Sequence, residues 1–310
     1  MSAGPRFERP TPNAFEAREA LRTVRDLLRW SIPRMAAADV AFGHGTADAW
    51  DEAAWLVLWS LRLPPDRLEP VLDARLAPSE VAAAVALVER RCVERLPAAY
   101  LTGEAWLRGV RFLCDPRALV PRSPIAELLD TDALDPWLPD PLAVGRVLDL
   151  CTGGGGLAIL AARRFPAASV IGADLSADAL ALAAENVALH GLDERVGLRR
   201  GDLWAPVADE AFDLVVCNPP YVNAGSMAEL PPEYLAEPQG ALGGGSDGMD
   251  LVRRIVSGAR ARLAPGGLLV LEIGHEAPHF EAAFDSLEFT YLPTEGGDDR
   301  IVLLERDALP

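Results

Sequence analysis

Three observations place this 310-residue chain in the α/β class, with a doubly wound sheet preceded by a small helical domain and a β-hairpin linker. The first hundred residues or so carry apolar side chains at helical spacing. Residues 104–113 read as two short strands around Gly109. From residue 144 onward, apolar strand-like runs and helical segments alternate, the pattern of repeated βα units. The expected organisation is a helical domain over 1–102, a hairpin linker over 103–123 and an α/β domain over 124–310.

Composition sets the outer bounds. Half of the residues are hydrophobic, enough for a large core or for two domains. The densest apolar run, 55–61, falls far short of the roughly 18–20 residues a membrane span needs, so no membrane association is expected. The N-terminal stretch MSAGPRFERPTPNA is polar and proline-rich, and residues 1–13 are expected to be a disordered leader rather than a secretion signal. The expected location is the cytoplasm. Cys92, Cys114, Cys151 and Cys217 form no C-x-x-C pair and have no histidine pair nearby, which reads as free thiols and no metal site. The formal charge is −17, and every basic residue is an arginine. Such a chain repels a phosphate backbone and attracts a basic protein, although acidity also serves solubility alone. No stable nucleic-acid binding is expected.

In the helical domain, Ala17, Leu21, Val24 and Leu28 lie on one helical face. Residues 51–59 continue the pattern, and Trp55 and Trp59, one turn apart, read as core aromatics. Ser79 is a candidate N-cap for a helix carrying Val81, Val85, Val88 and Cys92. His44, between Gly43 and Gly45, reads as a turn residue. Past the hairpin, Ser123 with Pro124 suits a helix start. Strands are expected over 144–150, 169–173, 196–199, 212–217, 268–273, 289–292 and 300–304. Helices are expected up to Phe165, over 178–190 and over 250–263. Residues 223–248 form a long irregular stretch, which inside a compact domain is often a lid.

The chemistry lies at strand ends. The first strand ends in Asp149 and runs through Thr152, Gly153, Gly154, Gly155 and Gly156 into a helix. Glycines let a ligand approach the backbone, and an acid here suits an ammonium group better than a pyrophosphate. Asp174 ends the second strand, about twenty residues on, where an acid accepts two ribose hydroxyls; this fits NAD and S-adenosylmethionine equally. Asp202 ends the third and can accept an adenine amine, with Leu203 against the ring. Three acids beside one glycine loop indicate a nucleoside site.

The fourth strand delivers Asn218, Pro219, Pro220 and Tyr221. A residue before proline is held extended, and proline supplies a carbonyl without an N–H. The Asn218 side-chain oxygen and the Pro219 carbonyl are thus two acceptors suited to a planar –NH2, with Tyr221 able to stack on the attached flat group. Holding both protons fixes the nitrogen plane and leaves one face open to a methyl donor.

The D-L-C-T-G-x-G loop, the G-D-L element and N-P-P-Y resemble the motifs of the glutamine N5-methyltransferases, which modify a protein side-chain amide. The segments LRWSIPRMAAADVAFGHGTADAWDEAAWLVL, PAAYLTGEAWLRGVRF and VPRSPIAELL resemble the branch acting on ribosomal large-subunit protein three. Release-factor enzymes, which act on a Gly-Gly-Gln loop, more typically read P-R-P-D-T-E in the region of Ser123. The resemblance covers nearly the whole chain from about residue 20. It implies a Rossmann-like seven-stranded methyltransferase domain behind a helical domain that grips the protein substrate. It also implies S-adenosylmethionine as methyl donor, leaving S-adenosylhomocysteine. Asp149, Thr152 to Gly156, Asp174, Asp202, Leu203 and Asn218 take the cofactor positions, and Asn218 to Tyr221 the amide-binding positions. Gly154 and Gly156 depart from the family, where Ser or Thr and Cys or Ala are commoner. The resemblance also makes the turn at His44 a candidate substrate contact. The rival readings are a release-factor glutamine methyltransferase, a DNA or RNA adenine amino-methyltransferase, which the charge of −17 disfavours, and a non-catalytic binding protein.

Overall fold

The computed structural model describes residues 13–310, so most of the expected leader lies outside the described residues. The chain divides into two compact units, 1–102 and 103–310.

The first unit is helical: α1 (Ala14–Ala20), α2 (Val24–Ala37), α3 (Ala49–Ser60), α4 (Pro78–Glu94) and α5 (Ala98–Thr102). Ala17, Leu21, Val24 and Leu28 are all buried, but Ala17 lies on α1, Val24 and Leu28 on α2, and Leu21 between the two. Leu21 is extended, and Thr23 restarts the chain with a capping box, its side chain accepting from the Asp26 N–H while Asp26 accepts from the Thr23 N–H. The T-x-x-D spacing was the signal for that break. Ser79 is not the cap of α4. Pro78 occupies the first turn, where its missing N–H costs nothing, and the Glu80 carboxylate accepts from the Ala77 N–H. Trp55 and Trp59 pack against the core of this unit.

His44 is 1 % exposed, inside the unit rather than presented on its surface. Its turn has a structural task. Gly43 and Gly45 adopt left-handed φ values of 115° and 98°, and the turn delivers Thr46, whose hydroxyl donates to Glu52 at 2.9 Å. Glu52 and Arg91 form a fully buried ion pair at 2.6 Å, and Arg91 also donates to the Ala41 carbonyl at 2.7 Å.

The second unit opens with the hairpin β1 (Glu104–Leu107) and β2 (Val110–Leu113). There follow α6 (Ile125–Asp130), β3 (Arg146–Leu150), α7 (Gly156–Arg164), β4 (Ser169–Asp174), α8 (Ala177–Leu189), β5 (Val196–Arg200) and β6 (Phe212–Cys217). The chain continues with α9 (Ala224–Ala228), α10 (Pro232–Leu235), α11 (Asp250–Ala259), β7 (Leu263–Glu272), α12 (Ala277–Ala283), β8 (Thr290–Tyr291) and β9 (Ile301–Glu305). Seven strands form one sheet in the order β5-β4-β3-β6-β7-β9-β8, parallel through β7, with β9 antiparallel to both β7 and β8. Buried clusters on both faces, around Phe165 and Val170 and around Phe212 and Ile255, make this a doubly wound layer. The sheet order reverses at β3, so the crevice outside the carboxyl ends of β3 and its neighbours is where such folds bind ligands.

The hairpin packs on α8: the Asn186 amide accepts from the Leu113 N–H at 2.7 Å and donates to the Leu113 carbonyl at 3.1 Å. Ser123 sits one residue further out than a cap of α6, yet its hydroxyl still accepts from the Ile125 N–H at 3.2 Å. Sequence reading missed α12.

Candidate active site

A cavity of about 420 Å³ opens at the carboxyl ends of β3, β4, β5 and β6. It brings together Asp149, Thr152, Gly153, Gly154, Gly156, Asp174, Asp202, Leu203, Asn218 and Pro220. Gly155, Pro219 and Tyr221 do not border it.

Asp149 is fully buried at the end of β3. Its Oδ2 accepts from the Thr152 hydroxyl at 2.6 Å and from the Ala158 N–H at 2.8 Å. Its Oδ1 is buried without a partner among the described residues. Burial pushes the carboxyl up to about 7, against the lowering effect of those two donors. Thr152 can reach Asp149 because its neighbour on β4 is a glycine: a β-carbon at Gly172 would stand 2.9 Å from the Thr152 hydroxyl.

The glycine loop divides its labour. Gly153 and Gly155 take left-handed φ values of 54° and 84°, and Gly155 packs so tightly on α8 that a β-carbon would meet that of Ala183 at 3.2 Å. Gly154 and Gly156 have ordinary backbone, and added β-carbons there would make contacts of 3.5 Å or longer. The two departures from the family pattern fall where side chains are sterically admissible.

Asp174 is half-buried at the end of β4; one oxygen accepts from the Gly153 N–H and the other from the Ser176 N–H, each at 2.8 Å. The acid at the end of β4 thereby shapes the loop after β3. Asp202 is half-exposed and accepts from Arg254 of α11 at 2.6 Å. Two non-glycine residues at the rim, Cys151 and Leu203, are held at left-handed φ values of 64° and 48°. Such backbone costs roughly 1–2 kcal/mol per residue and tends to persist where function requires it. Nothing in the sequence announced it.

Asn218 and Pro220 border the cavity, and Pro219 is buried. Tyr221 turns away, its hydroxyl donating to Glu272 at 2.8 Å. Directly after it, Val222 pairs with the returning chain: its N–H donates to the Leu242 carbonyl and its own carbonyl accepts from the Gly244 N–H, both at 2.9 Å. The long stretch after the motif is therefore an excursion with both ends pinned, carrying α9 and α10. Within it, Glu237 accepts from Arg122 at 2.6 and 2.7 Å and from the Val120 N–H at 2.9 Å. Arg122 also lies over the Tyr234 ring. Sequence reading missed Arg122, Glu237 and Glu272 as members of this neighbourhood. Among the described residues, no group of three or more His, Cys, Asp or Glu could hold a metal ion.

Comparison with known proteins agrees with this geometry. Residues 130–237 match the family model of the methyltransferase small domain. The chain is 58 % identical over 292 residues to the ribosomal protein uL3 glutamine methyltransferase of Bordetella pertussis, covering 94 % of this chain and 98 % of that one. It is 47 % identical over 294 residues to the Neisseria meningitidis serogroup B protein of the same name, covering 95 % and 96 %. Among solved structures, the hMettl16 catalytic domain in complex with MAT2A 3′UTR hairpin 6 matches with a TM-score of 0.50 at 14 % identity, over 73 % of this chain and 80 % of that one, a likeness of fold alone. The chain belongs to the family of ribosomal protein uL3 glutamine methyltransferases.

Proposed function

We propose that this protein transfers the methyl group of S-adenosylmethionine to the side-chain amide nitrogen of a glutamine in ribosomal protein uL3. The observation that carries the reading is one cavity uniting three strand-end acids, a glycine loop and Asn218.

The residues fit the donor molecule. The buried Asp149 Oδ1, without a partner among the described residues, suits an ammonium group. Asp174 suits the ribose hydroxyls, and Asp202 an adenine amine once Arg254 yields its place. Leu203, largely buried at the rim, offers an apolar surface. When bound, S-adenosylmethionine supplies an electrophilic methyl on a sulfonium. The chain's own part is to orient the acceptor. The Asn218 oxygen, which borders the cavity, accepts one amide hydrogen, and the Pro219 carbonyl takes the second only where the bound substrate reaches past the cavity lining. Held so, the nitrogen plane is fixed and electron density is drawn toward the attacking lone pair. The methylated amide sheds its extra proton readily, so the motif needs no strong base.

Charge supports a basic protein partner. The acids and arginines divide 14 to 13 over residues 1–102 and 32 to 16 over residues 103–310, so −16 of the net −17 lies on the unit that holds the cavity. The helical unit would add recognition of the folded substrate. Among the described residues, no helix is long and apolar enough to cross a membrane.

Radiolabelled S-adenosylmethionine offered with purified uL3, release factor or unmethylated DNA tests the reading. The expected result is label on a uL3 glutamine, located by mass spectrometry and lost with Asn218→Ala. Label on release factor alone would reassign the partner, and label on DNA alone would overturn the amide chemistry.

A further inference from the structure

Glu272 is the last residue of β7, one position beyond the Cys217–Leu271 pair that aligns β7 with β6. It therefore sits beside Asn218, yet it does not border the cavity. Its side chain is 4 % exposed. Both carboxylate oxygens are engaged: Oε1 accepts from the Tyr221 hydroxyl at 2.8 Å, and Oε2 accepts from the Ser123 hydroxyl at 2.5 Å. Burial raises the carboxyl above its ordinary range, opposed by these two hydroxyls and by the guanidiniums of Arg122 and Arg300.

The two hydroxyls come from segments far apart in the chain. Tyr221 ends the motif that presents Asn218 and Pro219. Ser123 ends the strap Pro121, Arg122, Ser123, which lines the cavity. Tyr221 is half-buried and closely packed on several sides. Gly274, at a left-handed φ of 55°, lies under its ring, where a β-carbon would come within 2.3 Å. Gly244 and Gly248 press on its backbone, with β-carbons that would approach to 2.7 and 2.2 Å. Packing so close, centred on an aromatic that does not reach the cavity, describes a mount rather than a contact surface.

We propose that Glu272 is a positioning residue for methyl transfer. By accepting one hydroxyl hydrogen from Tyr221 and one from Ser123, it locks the amide-binding loop to that strap and so sets where Asn218 and Pro219 present their oxygens. A carboxylate suits this task because it is acceptor-only and has two equivalent oxygens. A glutamine of the same shape offers only one, and must aim an N–H at a Ser123 oxygen already accepting from Ile125. Displacement of the acceptors by an ångström or less affects the transition state far more than donor binding, because the donor contacts lie at Asp149, Asp174 and Asp202.

The inference rests on the amide-methylating reading, and the test separates the two. Wild type, Glu272→Gln, Tyr221→Phe, Ser123→Ala and the Tyr221→Phe/Glu272→Gln double variant are compared for kcat with uL3. Affinity for S-adenosylhomocysteine, Tm and amide hydrogen exchange at Val222 are measured alongside. Glu272→Gln is expected to lower kcat about 30-fold, with S-adenosylhomocysteine affinity within threefold of wild type and little change in Tm. Exchange at Val222 should rise about tenfold, and the double variant should be no slower than Glu272→Gln alone. A kcat within threefold of wild type, additive losses in the double variant, or a parallel fall of kcat, affinity and Tm would each overturn it. If wild-type enzyme methylates no glutamine, the proposed function falls. Val222 exchange then decides alone: unchanged protection in Glu272→Gln overturns the mount, and raised exchange sustains it.

Discussion

The two units bury ionised groups in opposite ways. In the helical unit, Glu52 is matched by Arg91 at 2.6 Å, with Thr46 taking its second oxygen. Charge and hydrogen-bonding capacity are both closed within the unit. In the second unit, Asp149 is equally inaccessible but has no cation paired with it among the described residues; a hydroxyl and an N–H hold one oxygen, and the other has no partner there. A closed pair is architecture, and its removal is felt as lost stability. An open carboxylate is a standing cost that a cationic ligand relieves. Glu237 with Arg122 resembles the first kind placed at the edge of the second.

Breaking the closed pair should give the largest effect. Arg91→Ala leaves Glu52 buried and uncompensated, and about 3–5 kcal/mol of stability should be lost, read by denaturant or thermal unfolding. Donor binding by the variant that stays folded should be unchanged.

Asp149→Asn sharpens the contrast in the other direction. It removes a charge but keeps the shape, so S-adenosylhomocysteine affinity should fall by about 1.5–3 kcal/mol in calorimetry, the worth of a hydrogen bond to a charged group. Stability of the free protein should hold or rise.

The pH dependence follows from the same group. A carboxyl raised to about 7 by burial favours its neutral form in the folded chain. Its stabilising contribution is present below the ordinary carboxylate range and is lost as pH rises through about 7. Binding an ammonium requires the carboxylate, so affinity should fall up to tenfold per unit as pH drops below about 7. Asp149→Asn should flatten that slope.

The smallest effect tests the glycine loop. Gly153→Ala, at a left-handed φ, should cost about 1 kcal/mol. Gly156→Ala, at ordinary backbone where the added β-carbon makes only van der Waals contacts of 3.7 Å or longer, should cost less than half of that in a parallel melt.

The contiguous parts of the site were legible. Asp149, Gly153, Gly154, Gly156, Asp174, Asp202, Asn218 and Pro220, which share one cavity, each sit within a few residues of a strand end, where residue type and spacing mark them in the sequence. The alternation of βα units likewise gave the sheet. What escaped was whatever depends on distant partners. Ser123 and Glu272 meet across 149 residues, and Arg122 and Glu237 across 115. No local pattern records such a meeting. The stacking role expected for Tyr221 came from its aromatic character, whereas its hydroxyl is what the fold engages. The break at Leu21 was written in the sequence but outweighed by a periodicity that both helices share.

The pinned excursion after Val222 is a place where the chain can tolerate change. Its two ends meet at the bridge between Val222 and Gly243, so the chain between them closes on itself beside the motif. Exchange of residues inside that loop is expected to leave Asn218 where it is, as long as Glu237 still anchors the loop to Arg122. A loop grafted from a relative is therefore expected to leave the fold and the place of Asn218 intact, with an unchanged melt and unchanged S-adenosylhomocysteine affinity as the check.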